Sequence, residues 1–242
     1  MTGLRVAHLY PEHLNIYADR GNISVLEHRC RWRDLEFEVV GVGIGDTLPD
    51  ADLYYIGGGQ DRDQLLVAAD IARHAAPLAE QVAGGAALLA VCGGYQLLGH
   101  YYRGYQGDEM RGIGLVDLVT EAGSTRMIGN IALECALDGE APRRLVGFEN
   151  HAGRTTLGEG VQPLGRVISG NGNNGRDGGE GVHEGSVIGT YVHGPLLPKN
   201  AWLADWLITR AGARRGITDP LAPLDDGLED EAQRVAELIA AR

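Results

Sequence analysis

The fold is decided by AALLAVCGGYQLLG, residues 86–99. The first half is an uninterrupted apolar run, as long as a strand that is buried on both faces. Gly93 and Gly94 permit a sharp bend, and YQLLG then begins a helix. A strand that delivers Cys92 to a bend before a helix is the cysteine counterpart of the nucleophile elbow of α/β-hydrolases. Amides at the helix start favour a thiolate and can donate to an oxyanion, so Cys92 is the candidate nucleophile.

Strands and helices alternate on both sides of this stretch. Apolar runs predict strands at 4–11, 37–43, 52–59, 86–91 and 186–192, with further candidates near 115–120, 128–137 and 145–149. Helical spacing predicts helices at 22–32, 61–74, 77–82 and 200–211. We therefore expect an α/β fold with a central, mostly parallel sheet flanked by helices.

No linker interrupts the chain, so a single domain is predicted over residues 1–242. Its core is expected at about 4–212. Residues 213–242 are predicted to be a polar C-terminal tail that ends in a solvated or partner-facing helix. The segment 169–186, SGNGNNGRDGGEGVHEGS, predicts a loop because glycine and polar residues dominate it. We expect this loop to be mobile, and a role in docking is the alternative.

Composition excludes several classes of protein. The formal net charge is −12 and the pI is about 5.0, which argues against a nucleic-acid surface because phosphate contacts need clustered Lys and Arg. MTGLRVAHLY at the start lacks the pattern of a secretory signal, and no apolar stretch approaches ~20 residues. We expect a cytoplasmic protein without membrane insertion. The three cysteines show neither CxxC metal spacing nor a disulfide framework, so no metal site is predicted.

Two further motifs complete the predicted site. YIGGGQD at 55–61 ends a strand in three glycines, whose amides suit the other half of an oxyanion hole. A phosphate cradle is the rival interpretation, but the Lys-Ser/Thr of a P-loop and the GxGxxG spacing are both missing. GTYVHGP at 189–195 places His193 at the end of an apolar strand, where it can serve as the base. His151, in GFENHAGR, is its strongest competitor.

Six blocks of sequence carry a family resemblance. They are GGGQDRDQ (57–64), CGGYQLLG (92–99), TRMIGN (125–130), GFENHAGRT (147–155), GNGNN (170–174) and GTYVHGPLLPKN (189–200). In this order they resemble the class I glutamine amidotransferases of the cobyric-acid-synthase-like branch. Within that branch they are most similar to the glutaminase subunits of lipid II isoglutaminyl synthases. The resemblance covers most of the chain except its last thirty or so residues.

The resemblance implies hydrolysis of L-glutamine to glutamate and ammonia through a cysteinyl thioester. It assigns Cys92 as nucleophile, His193 as the residue that moves the proton, and Gly58 and Gly93 as the oxyanion hole. Gln96 matches a position that contacts glutamine. Arg126 matches a residue that binds the substrate carboxylate, for which a bidentate guanidinium is suited. A plain surface arginine is the alternative interpretation of Arg126.

The resemblance also implies a heterodimer. The partner would be a Mur-ligase-like synthetase of the MurT type that receives ammonia and amidates the D-glutamate α-carboxyl of the peptidoglycan stem peptide in lipid II. ATP and Mg²⁺ would belong to that partner, and no cofactor is expected in this chain. Lipid II would be reached only through the partner, in a pathway of cell-wall synthesis that sets cell shape.

One position departs from the wider class. Many triad amidotransferases carry a glutamate two residues after the histidine, whereas Pro195 stands there in this chain. The chain alone therefore presents a dyad, and one hypothesis is that a partner supplies the missing acid. Three alternatives stay open at this point: a cobyric-acid-type amidotransferase with another carboxylate acceptor, a non-catalytic regulatory subunit of the same fold, and another thiol hydrolase such as a peptidase.

Overall fold

A six-stranded sheet forms the centre of the computed structural model, which describes residues 3–16 and 20–241. The strand order is β11-β12-β4-β3-β1-β2, and every neighbouring pair is parallel except the edge pair β11–β12. The strands are β1 (Gly3–Leu9), β2 (Glu36–Val42), β3 (Leu53–Ile56), β4 (Ala87–Val91), β11 (Val182–Glu184) and β12 (Val187–Thr190). The central strands β3, β4 and β12 are wholly buried, as their apolar runs require.

Helices flank this sheet, and the prediction of an α/β fold is confirmed. They are α1 (Arg20–Arg31), α2 (Asp61–Ile71), α3 (Ala75–Ala83), α4 (Gly93–Leu97), α5 (Ala201–Arg214) and α6 (Gly227–Ala240), with 3₁₀ turns at Ala72–His74 and Leu197–Lys199. The fully buried Arg29 of α1 joins two other segments, because its guanidinium pairs with Asp205 of α5 and with Asp226. Removal of either carboxylate would leave part of a buried positive charge uncompensated, which destabilises a fold.

Six further strands form a second sheet. It contains β5 (Tyr101–Arg103), β6 (Glu109–Arg111), β7 (Leu118–Cys135), β8 (Arg143–Leu157), β9 (Gly165–Ser169) and β10 (Gly179–Glu180). The segments predicted separately at 115–120 and 128–137 belong to one long strand, β7. Its pairing with β8 shifts between Ala122 and Met127. Glycine, serine and threonine in this segment are residues typical of turns, so the sequence predicts two strands there instead of one.

The prediction of a mobile loop at 169–186 is wrong. This segment contains β10 and β11, and it buries Asn173 and Glu180 almost completely. Asn173 donates from its side chain to the carbonyl of Gly181 and accepts from the amide of Gly181. The glycines therefore allow close turns around buried polar groups, and they do not make the segment mobile.

The C-terminal segment contains α6, at the place where the sequence predicts a solvated or partner-facing helix. Helix α6 lies on β7 and β8 through small side chains, with Ala236 and Ala240 against Ala132 and Val146. Gln233 donates to the carbonyl of Arg144 and to Asn200. The helix is thus part of the folded structure, although its larger apolar side chains face solvent. In the described part of the chain, no helix has the length and apolar character needed to cross a bilayer.

Candidate active site

Cys92 occupies a strained turn between β4 and α4. Its backbone has φ 52° and ψ −108°, a conformation that a residue with a side chain rarely adopts. Its amide donates to the carbonyl of Thr190 at 2.8 Å, and its carbonyl accepts from the amide of Gln96 at 3.1 Å. The turn therefore has the strand–nucleophile–helix geometry that the sequence predicts, with strain held by bonds on both sides.

The two glycines after Cys92 are required by close approach of the loop that follows β3. A Cβ on Gly94 would lie 2.6 Å from the carbonyl oxygen of Ile56, and one on Gly93 would lie 3.0 Å from the amide nitrogen of Gly59. The amide of Gly94 also donates to the carbonyl of Gly57 at 3.1 Å. The glycine turn and the elbow thus meet, which brings the two predicted halves of the oxyanion hole together.

His193 follows β12, the strand directly beside β4. The parallel register pairs Thr190 with Val91, so Cys92 and His193 both lie just beyond the carboxyl ends of adjacent strands. A backbone bridge to Phe148 of β8 fixes the histidine: the amide of each residue donates to the carbonyl of the other, at 2.9 and 3.0 Å. The predicted nucleophile and base are therefore held at one edge of the sheet by two separate elements.

The surroundings of His193 keep its imidazole uncharged. Burial is the main cause that lowers the pKa of His193 to about 4, and the nearby His151, Arg126 and Lys199 lower it further. Glu149 acts in the opposite direction. An imidazole that remains neutral at pH 7 can accept a proton, which is the requirement for a general base.

A cavity of about 620 Å³ opens above the elbow. It brings together three of the predicted site residues: Cys92, Gln96 and Arg126. Of the glycine turn, Gly59 lines the cavity. The carbonyl of the neighbouring Gly58 accepts a hydrogen bond from the amide of Ile16 at 3.2 Å. The other lining residues are Ile16, Gln60, Asp61, Arg62, Gln64, Tyr102, Asn150, His151 and Ala152. A cavity of this size accommodates an amino acid.

Gln96 and Arg126 present complementary polar groups to the cavity. The side-chain nitrogen of Gln96 donates to the hydroxyl of Tyr191 at 3.2 Å, and its buried Oε1 has no hydrogen-bond partner among the described residues. Arg126 lies at the exposed rim, where Nε and Nη2 donate to the side chain and the carbonyl of Asn150 at 2.9 Å each. One acceptor and one fixed cation match the α-ammonium and the α-carboxylate of a free amino acid.

Three residues of the site were not identified from the sequence. Glu149 and Glu180 are buried carboxyl groups, and Tyr191 stacks face to face on His151 with ring centroids 3.7 Å apart. Burial raises the pKa of Glu180 to about 8, and its carboxyl group accepts from Thr190 and from the amide of Tyr191. No pattern in the sequence predicts that the two acids are buried, because the burial of each acid depends on loops distant along the chain.

The other two cysteines are core residues. Burial raises the pKa of the Cys30 thiol and of the Cys135 thiol to about 12, so neither forms a thiolate at neutral pH. Within residues 3–16 and 20–241, no group of three or more His, Cys, Asp or Glu side chains is placed to hold a metal ion. Of the three thiols, Cys92 alone lines the cavity.

Comparison with known families agrees with this arrangement. The profile of the CobB/CobQ-like glutamine amidotransferase domain matches residues 5–201. The subunit GatD of lipid II isoglutaminyl synthase (glutamine-hydrolyzing) from Staphylococcus aureus is 39% identical, over 97% of this chain and 95% of its own length. GatD from Streptococcus pneumoniae is 38% identical, over 86% of this chain and 80% of its own length.

More distant relatives share the domain or the fold. Cobyric acid synthase from Pelotomaculum thermopropionicum is 32% identical over 96% of this chain, but the match spans only 46% of that protein. A chain of PurLQS from Thermotoga maritima superposes with a TM-score of 0.57 at 21% identity, over 88% of this chain and 97% of its own. A glutamine amidotransferase from the same organism gives 0.55 at 17% identity, over 100% and 95%. These two structures support the fold.

Proposed function

The chain belongs to the CobB/CobQ-like glutamine amidotransferase family, and from this premise we propose that it is the glutaminase subunit of a lipid II isoglutaminyl synthase. The observation that carries the chemistry is the placement of Cys92 and His193 beyond two adjacent strands, with Cys92 in the wall of a cavity sized for an amino acid. The acceptor is supported by similarity to two GatD subunits over most of their length.

The proposed reaction begins with proton transfer. The neutral imidazole of His193 takes the proton of the Cys92 thiol, and the sulfur attacks the side-chain amide carbon of glutamine. The amide of Gly93 and an amide of the glycine turn, at Gly58 or Gly59, stabilise the oxyanion that forms. The C–N bond breaks as the imidazolium returns its proton to nitrogen, which leaves as ammonia. Water, deprotonated by the same imidazole, then hydrolyses the Cys92 thioester to glutamate.

Two residues orient the substrate in this proposal. Arg126 binds the α-carboxylate of glutamine at the rim, where its contacts with Asn150 already fix the plane of its guanidinium. Gln96 accepts from the α-ammonium through the Oε1 that lacks a protein partner. The γ-amide then extends toward Cys92, which places the reacting carbon next to the sulfur.

The ammonia is delivered to a second subunit. In this proposal a Mur-ligase-like synthetase, of the MurT type, forms a heterodimer with the chain, activates the D-glutamate α-carboxyl of the stem peptide with ATP and Mg²⁺, and accepts the ammonia. Neither ATP nor Mg²⁺ is assigned to this chain. Lipid II would contact the complex through the synthetase subunit.

The partner would also complete the site. Pro195, at the position of the class's usual glutamate, lies against α1, where a Cβ on Gly21 would be 3.0 Å from its Cγ. A carboxylate from the synthetase would then orient His193, and hydrolysis would be faster in the complex than in the isolated chain. This arrangement would prevent release of ammonia in the absence of an acceptor.

A corrinoid carboxylate is the rival acceptor. The cobyric acid synthase that matches is more than twice the length of the matched region, whereas GatD matches nearly end to end. This difference favours the lipid II reading.

The test is to co-purify the chain with its partner and to assay amidation of lipid II with glutamine and ATP. We expect one amide formed for each glutamine hydrolysed, and faster hydrolysis in the complex than in the isolated chain. Equal rates of hydrolysis would refute the acid supplied by the partner. Amidation of a corrinoid carboxylate instead of lipid II would refute the proposed acceptor.

A further inference from the structure

Gln64 of α2 is a buried glutamine in the wall of the catalytic cavity, and the reaction described above gives it no role. Its side chain is 2% exposed, and its Nε2 donates to the carbonyl oxygen of Gly59 at 3.2 Å. A carbonyl oxygen can only accept, so this bond decides which end of the carboxamide faces the glycine turn. Oε1 is therefore directed elsewhere, and it is buried without a hydrogen-bond partner among the described residues.

Stability does not explain a glutamine at this place. A buried acceptor without a partner is costly in the interior of a protein. An apolar side chain of the same length would fill the space without that cost, as Val67 and Ile71 do on the buried face of the same helix. What a glutamine supplies, and an apolar side chain lacks, is the hydrogen bond to Gly59.

The carboxamide of Gln64 contacts both predicted halves of the oxyanion hole. A Cβ on Gly93 would lie 2.6 Å from Nε2 and 2.9 Å from Cδ of Gln64. The same Cβ would lie 3.0 Å from the amide nitrogen of Gly59. The side chain that holds the Gly59 carbonyl therefore also packs against the backbone of the residue that follows the nucleophile.

The glycine turn is held at three successive carbonyl groups. The carbonyl of Gly57 accepts from the amide of Gly94 at 3.1 Å, and that of Gly58 accepts from the amide of Ile16 at 3.2 Å. The third carbonyl, that of Gly59, is held by the glutamine side chain. Glycine has no side chain to restrict its backbone, so these external bonds set the shape of the turn.

The fixed carbonyls decide where the amides of the turn point. The peptide bonds here are trans, so each N–H points opposite to the carbonyl of the residue before it. The N–H of Gly58 therefore points away from the elbow, because the preceding carbonyl faces the elbow. The N–H of Gly59 points away from Ile16, and its nitrogen lies close to Gly93. Gly59 is thus the amide of the turn that is placed to act together with Gly93.

We propose that Gln64 is a positioning residue of the oxyanion hole, which fixes Gly59 beside Gly93 so that the amide of Gly59, rather than that of Gly58, is the second donor. The inference rests on the proposed function, because an oxyanion forms only if Cys92 attacks a carbonyl group. Full negative charge reaches the substrate oxygen only after this attack begins. The bond from Gln64 should therefore affect kcat more than KM.

The experiment measures kcat and KM for glutamine hydrolysis and the urea midpoint of unfolding, with the full chain alone and in its co-purified complex. Gln64→Met keeps the length of the side chain and loses the donor. Gln64→Glu keeps the shape, but its carboxylate can only accept. Gln233→Met is the matched control, since Gln233 also donates through Nε2 to a main-chain carbonyl, that of Arg144 at 3.0 Å, outside the cavity lining.

In Gln64→Met we expect kcat to fall about 10-fold while KM stays within about twofold, because a displaced donor loses part of its effect on the oxyanion. The urea midpoint should be unchanged or higher, since the acceptor without a partner is gone. Gln233→Met should lower the urea midpoint and leave kcat unchanged.

In Gln64→Glu we expect kcat at pH 8 to fall about 100-fold, because a negative charge then lies beside the forming oxyanion. The deficit relative to the wild type should shrink at pH 5.5, where a buried carboxyl group that has gained a proton can again donate to Gly59. A role in packing alone would give no such recovery of kcat.

A folded Gln64→Met with kcat within about twofold of the wild type would overturn the proposal, as would a rise in KM at unchanged kcat. If Gln64→Met does not fold, Gln64→Glu decides, and a deficit that is equal at pH 8 and pH 5.5 would overturn the proposal. A wild-type chain that does not hydrolyse glutamine, alone or in its complex, would refute the proposed function. An active wild type with equally active Gln64 variants would refute only the role of Gln64.

Discussion

Replacement of Cys92 by alanine is expected to lower kcat/KM for glutamine hydrolysis by about 10⁴-fold or more, since no other group can form the thioester. The fold should survive, because Cys92 is a small side chain at the cavity wall and alanine fits the same space. Removal of the side chain also leaves the strained backbone with its bonds to Thr190 and Gln96. The measurement is ammonia release, with the circular dichroism spectrum as a check on folding.

Cys30→Ala and Cys135→Ala are the matched controls. Both thiols are fully buried and protonated, so their loss should reduce the free energy of unfolding by roughly 1 kcal/mol and leave kcat unchanged. Activity that persists in Cys92→Ala would eliminate Cys92 as the nucleophile. Loss of activity in a control variant that remains folded would show that the site has been misplaced.

Replacement of His193 by glutamine is expected to lower kcat by about 10³-fold, the usual contribution of a general base. The amide is close to imidazole in size, but it cannot take the thiol proton. Burial and the nearby cations lower the pKa of His193 to about 4, so in the wild type the base form should persist as pH falls below 6.5. The acid limb of kcat/KM is therefore expected near pH 4 and not near pH 6.5, and the variant should lack it.

The same residue makes a prediction about stability with a definite sign. In the folded protein His193 is neutral down to about pH 4, whereas in the unfolded chain it takes a proton below about pH 6.5. Acidification through this window therefore favours unfolding. The free energy of unfolding should fall less on acidification in His193→Gln than in the wild type. Urea unfolding at pH 7 and at pH 5 measures the difference. A larger loss in the variant would contradict the assigned charge state.

The sequence was sufficient to predict the elements whose patterns are local. The apolar run before Cys92 predicts β4, and the glycines at 57–59 and 93–94 predict a close approach that the structure contains. The strand before His193 is largely apolar, which predicts a buried strand of the sheet. Its place beside β4 is known only from the structure. Consequently the elbow, the base and the glycine turn are found together, as their positions at strand ends require.

The remaining features depend on contacts between distant segments. The short strands β10 and β11 contain too few apolar residues to be distinguished from a loop, and they are stabilised by buried Asn173 and Glu180. Helix α6 faces the core with alanines and exposes larger side chains such as Leu228, which reverses the usual pattern. From the sequence, Glu149 would be expected at the surface. Its burial depends on the amides of Asn171 and Gly172, which donate to its carboxylate.

The central claim is tested most directly by labelling with an electrophilic analogue of glutamine that carries a γ-diazoketone, followed by peptide mapping with mass spectrometry. The account predicts one equivalent of label, on the peptide that contains Cys92, with protection by excess L-glutamine. It also predicts no label in Cys92→Ala. Stoichiometric label on Cys30 or Cys135, or label on Cys92 that glutamine does not prevent, would contradict it.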